Sequence, residues 1–215
     1  EEYLKNSNTL TVVRILDGTF SKATATINTG SGAVGTSGTE KAFVLETLAD
    51  GEIMNNEDTT TTTNNINLSG SKHNIRYEIS NRNVNKGSFT LAIRAGNDNI
   101  KRKQTLETYT GVTLDPNDNN FISKVIGDQT FTVKTDENSN PFLQLTGSFP
   151  NKSRFVRVKS VDSLTSDYLD ENGSIRLTEL TASLPDNGSG SSHGGFTGGA
   201  NGVSGFDALG NRVGT

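Results

Sequence analysis

The run Asp115-Pro116-Asn117-Asp118-Asn119 carries oxygen-bearing side chains at the alternating spacing with which a calcium loop begins. Such a loop also needs glycine at its sixth position and a bidentate glutamate at its twelfth. Asn120 and Ile126 stand there instead, and helix capping accounts for the run without a metal. The imidazoles are His73 and His193, and no motif places a nucleophile and an orienting carboxylate beside either. Catalysis by a histidine pair would need both, so they read as solvated turn residues. Gly188-Ser189-Gly190 and Gly194-Gly195 have the glycine content of a phosphate cradle but no buried strand before them, helix after them or P-loop lysine. The carboxylates are scattered singly. Asn67-Leu68-Ser69, Asn151-Lys152-Ser153 and Asn172-Gly173-Ser174 match the glycosylation acceptor pattern, which matters only in a secreted chain. No catalytic residues, cofactor-binding set or metal ligands emerge, and the chain is expected not to be an enzyme. One dense basic run remains. Lys101, Arg102 and Lys103 read either as a solvated turn or as the candidate subunit contact, facing an acidic patch on an adjacent copy.

The elements that position these residues lie in residues 72–128. Ile75, Tyr77 and Ile79 alternate with Arg76, Glu78 and Ser80, and Phe89, Leu91 and Ile93 alternate with Thr90, Ala92 and Arg94. Alternation of this kind puts each apolar set on one face of a sheet and each polar set on the other. The polar segment 81–87 between the runs suits a hairpin loop, and Thr105 to Tyr109 is a third candidate strand. A helix is expected over 116–126. Asp115 is its N-cap, Pro116 its first residue, and Asp118 a negative charge at its positive end. Phe121, Ile122, Val125 and Ile126 form its apolar stripe, and Gly127 its left-handed stop.

With 215 residues, 31% hydrophobic content and 23 glycines, the chain has few side chains for a large core. Either long polar loops dilute a core, or neighbouring chains supply part of it. A net charge of −4 argues against a general nucleic-acid binder. Without cysteine there are no disulfides and no thiolate zinc sites. No apolar run reaches the roughly 18 residues that span a bilayer, and no signal peptide is recognisable.

Along the rest of the chain, residues 1–5 read as the last turn of a helix, so the sequence is expected to be part of something longer. Leu10 to Leu16 reads as a strand covered on both faces. Residues 21–39, rich in Gly, Ser, Thr and Ala, read as a loop or edge hairpin. Phe43 to Leu48 fits strand or helix, followed by a turn at Asp50-Gly51. Residues 55–65, NNEDTTTTTNN, read as a polar surface loop. Thr130 to Val133, Phe142 to Thr146 and Arg154 to Val161 read as strands, and Ile175 to Leu180 as a last short one. The expected fold class is α+β: a mixed or antiparallel β-sheet with a few helices and long polar loops. Residues 1–185 form one such region, with 18–72 as an insertion or loop within it. Residues 186–215 are a Gly/Ser/Asn-rich linker or loop.

Leu106-Glu107-Thr108, Leu114-Asp115-Pro116-Asn117 and Asn120 through Asp128 (NFISKVIGD) resemble, in that order, a block of the sheath protein of contractile phage tails. The opening YLKNSNTLTVVRILD, residues 3–17, resembles the family's passage from a helix end into a strand. The glycine-rich stretch 194–205 resembles its loop before a further domain. The resemblance implies a structural subunit that polymerises around a tail tube and contracts to drive the tube through the host envelope. Its partners would be copies of itself in a helical array, the tail tube protein, the baseplate and the tail terminator, with no direct nucleic acid contact, no membrane insertion and no cofactor. The implied location is the virion tail, assembled in the host cytoplasm. The alternative from a different class is a β-rich adhesin or receptor-binding module. Its Thr-, Asn- and Gly-rich loops would suit carbohydrate, although a chain without Trp and with four Tyr has few aromatic platforms for sugars.

Overall fold

Alternation in the middle of the chain produces the expected strands. The computed structural model describes residues 20–29, 40–51, 75–98, 101–185 and 194–201. The helix end at 1–5, the strand at 10–16, the threonine-rich loop at 55–65, His73 and His193 lie outside the described residues. The strands in chain order are β1 (Phe20–Asn28), β2 (Lys41–Asp50), β3 (Ile75–Asn83), β4 (Ser88–Ala95), β5 (Thr105–Thr113), β6 (Thr130–Thr135), β7 (Pro141–Thr146), β8 (Val156–Val161) and β9 (Ala200–Asn201). Among the described residues one α-helix, α1 (Ile122–Ile126), and one 3-10 helix (Thr178–Ser183) accompany them. The class is α+β, dominated by antiparallel sheet.

The strands form a four-stranded sheet in the order β8-β2-β1-β9, a three-stranded sheet β3-β4-β5, and a separate two-stranded hairpin β6-β7. The two larger sheets share one core. Phe43 of β2 and Phe89 of β4 stack with centroids 5.8 Å apart, surrounded by Leu45, Leu91, Ile93, Val112 and Val158. On one side residues 194–201 stitch the sheets together. Tyr77 of β3 donates its amide to the Gly194 carbonyl, Thr24 of β1 exchanges backbone bonds with Thr197, and β9 pairs with the start of β1. Phe196 lies between, fully buried and edge-on to Tyr77. Burial of that ring contributes about 1.5–3 kcal/mol and holds the stitch in place. On the other side α1 wedges between β5 and β8, with Ile122 and Ile126 fully buried.

The helix is shorter than its sequence signals. Residues 116–120 form turns, and the helical span is Ile122–Ile126 rather than 116–126. Asp115 is not an N-cap. Its Oδ1 accepts from the Asn117 amide, and Asp118 Oδ1 accepts from the Asn120 amide. These local turns satisfy the backbone two residues on and compete with helix, as short Asx side chains do. Lys124 Nζ then donates to the Pro116 and Asp118 carbonyls and folds the turns back onto the helix.

Two further expectations change. Phe20–Asn28 is a strand flanked on both sides by β2 and β9, not a loop or edge hairpin. Its Ala23, Ala25 and Ile27 are buried; small side chains suffice there because β1 lies close against the core. The segment 175–180 is not a strand: Ile175 makes a lone bridge to Leu169, and Thr178 onward is 3-10 helix. Phe43 to Leu48, open between helix and strand, is part of β2.

Candidate assembly surface

The polar face of β3 and β4 is buried rather than solvated. Arg76 and Arg94 are 1% and 0% exposed, and Glu78 and Asp98 are buried with them. Cross-strand register sets Arg76 opposite Arg94. That like-charge neighbourhood holds because the turn after β4 brings in Asp98, whose two oxygens take Arg94 Nε at 2.7 Å and Nη2 at 2.9 Å. Arg94 Nη1 reaches Glu78 at 2.9 Å, and Arg76 Nε lies 3.6 Å from Asp98. Burial lowers the Arg76 guanidinium from its ordinary pKa; Asp98 opposes that shift and Arg94 adds to it. Bidentate geometry of this kind gives both energy and direction.

This network fixes the basic run identified in the sequence. Lys103 Nζ donates to Glu78, and the Gln104 amide donates to Asp98. Lys101, Arg102 and Lys103 are therefore presented, exposed, at the entry to β5. Lys103 has a partner within its own chain, so the charge it offers a neighbour is shared with Glu78. A second charged set, Arg157 and Lys159 on Glu46, spans β2 and β8. Burial pushes the Glu46 carboxyl up, but hydrogen bonds and charge from Lys159 and Arg157 outweigh it and leave the group below its ordinary value.

The β6-β7 hairpin has the opposite character: every residue of β7, and all of β6 after Thr130, is exposed. Register pairs Phe131 with Leu145 and Val133 with Leu143, so these side chains share one face. They are 66%, 48%, 69% and 68% exposed, in the order named. Thr130, Thr132, Lys134, Gln144 and Thr146 lie on the other face, with Phe142 among them. Sequence patterning shows the strands, but it cannot show that their apolar face finds no cover among the described residues. A two-stranded ribbon is marginal in water without a third strand or a packing surface.

What holds the hairpin is its neck. Asp128 Oδ1 accepts from the Ser148 and Phe149 amides, Asn151 bonds both amide and carbonyl of Gln129, and Arg157 donates to the Asp128 carbonyl. Chain crossing is close enough to require glycine. At Gly127, φ 108°, a Cβ would meet Asn151 Oδ1 at 2.6 Å and the Pro150 carbonyl at 2.7 Å; at Gly147, φ 105°, it would meet the Asp128 carbonyl at 2.7 Å. Gly127→Ala is expected to cost about 2–4 kcal/mol through backbone strain and overpacking, read as a lowered midpoint in thermal unfolding.

At the tip, Asp136 Oδ1 accepts from the Asn138 and Asn140 amides. The Asn140 amide first, then its side chain, hold this carboxyl below the ordinary 3.8 despite some opposing desolvation. A depressed folded-state pKa means that the contribution to order is present above 3.8 and is lost as pH falls through the lower folded value. Protection of the Asn138 and Asn140 amides, taken relative to their intrinsic exchange rates, is therefore expected to fall as pH drops below about 4, while amides of β4 keep theirs; uniform loss across both would contradict it.

The Asp115 run lines a cleft of about 210 Å³ with Lys86, Asp118, Asp167 and Tyr168. Its carboxylates are spent on protein donors. Asp115 Oδ2 accepts from the Tyr168 amide, and Asp167 Oδ1 from the Asn117 side chain. Among the described residues no group of His, Asp and Glu is arranged to hold a metal ion, and no helix is long and apolar enough to cross a membrane. No protein family, curated protein or solved structure matches the chain.

Proposed function

We propose that this chain is a structural subunit of a contractile tail sheath, one of many copies polymerised around a tube. The observation that supports self-assembly is the hairpin face of Phe131, Val133, Leu143 and Leu145, uncovered among the described residues on a ribbon that needs cover. The resemblance of residues 106–128 to the sheath family gives the assembly its kind. A contractile array needs subunits that keep their shape while their contacts change. A single core stitched on both sides, with a buried ionic network in one sheet, suits such a rigid brick.

Negative-stain electron microscopy of the full-length protein tests this reading. Long tubes of regular diameter are the expected result. Discrete monomers or trimers that bind glycans would replace it with the adhesin reading.

A further inference from the structure

We propose that the β6-β7 hairpin of one copy adds to the open edge of β5 in a second copy, with its acidic tip against Lys101, Arg102 and Lys103. This rests on the assembly reading above and supplies the acceptor it lacks. Three properties of the two surfaces match. β5 ends its sheet, pairing only with β4 among the described residues, and its Thr105, Leu106, Thr108 and Thr110 are exposed. An edge of that kind accepts a strand through main-chain hydrogen bonds. The edge is also bounded. At its far end Thr113 is bridged to Phe121, and the Glu107 side chain takes Ser153 and the Arg154 amide of the same copy; the main chain from Thr105 to Thr110 matches the six residues of β6 or of β7.

Charge then sets the direction. Asp136 and Glu137 sit at the hairpin tip, and the basic run sits at the start of β5. Laying the tip there runs the ribbon's length of about 20 Å along the strand and brings opposite charges together. The apolar face is turned to the side of the acceptor sheet that carries Tyr109, itself partly buried against the core. Donor and acceptor occupy different places on the chain. Each contact therefore leaves one hairpin and one edge open, and the assembly propagates; hairpins stacked on one another would close a twofold pair and stop.

The chain has no cysteine, which makes cross-linking clean. Thr132→Cys on the hairpin and Thr108→Cys on β5 are both exposed replacements, to be probed in the full-length protein with a short bismaleimide. Neither single variant is expected to cross-link alone, their mixture should give a covalent dimer, and the double variant a ladder. Glu137→Lys should lower the yield several-fold, as should added salt. A dimer from Thr132→Cys alone would show hairpin-on-hairpin pairing and overturn the proposal. Absence of cross-links in the mixture would overturn it too. Micrographs of the same samples then separate the two readings: tubes without cross-links leave the sheath reading standing with another acceptor, and no tubes remove both.

Discussion

Arg94→Ala is expected to destabilise the monomer by about 3–5 kcal/mol, a large share of the roughly 5–15 kcal/mol that holds a domain of ordinary stability. Two effects combine. The substitution removes a fully buried side chain, and it leaves Asp98, its side chain 0% exposed, with the Gln104 amide and an Arg76 nitrogen 3.6 Å away. An uncompensated buried carboxylate is the larger of the two. Arg94→Met/Asp98→Asn should therefore recover part of the loss, because the neutral amide no longer needs the guanidinium. Urea denaturation of the wild type, Arg94→Met, Asp98→Asn and the double variant gives the coupling directly. A cycle that closes near zero would mean that Arg94 acts by packing alone.

Val133→Thr combined with Leu143→Thr is expected to leave the monomer's stability within about 0.5 kcal/mol, since both positions are exposed and threonine suits a strand. Assembly should respond very differently. Covering two such side chains at a contact contributes at least about 3 kcal/mol, so the concentration needed to form tubes should rise about a hundredfold. Sedimentation of the variant across a concentration series measures this. Unchanged assembly would mean that the hairpin face is not part of the contact.

Much of the β framework was legible. Ile75, Tyr77 and Ile79, and Phe89, Leu91 and Ile93, alternate because one face of their sheet packs on Phe43 and its neighbours. The opposite face was not legible as buried. Arg76, Glu78 and Arg94 read as a polar surface in one dimension, and only the turn that returns Asp98 makes them an interior. Strand β1 was missed for a related reason: Ala23 and Ala25 carry little hydrophobic signal, yet both are buried in the core cluster. The helix was over-extended because Asp115 and Pro116 are good starts for both a helix and a turn. Asn117 and Asn120 decide for the turn by donating their amides to aspartate side chains. For the proposed assembly surface, Lys101 to Lys103 stood out by charge. The hairpin's apolar face did not, because Phe131 and Val133 look in sequence like any other strand residues seeking a core.

The neck built from Gly127, Asp128 and Asn151 has a mechanical consequence. An arm whose two neck segments are bonded to each other, and through Arg157 to β8, resists swivelling on the body that carries it. Force applied at the tip is delivered as torque to the whole subunit. In a stack of such subunits, rotating one would drag the next by its arm, and the motion would travel as a wave rather than dissipate in a loose joint.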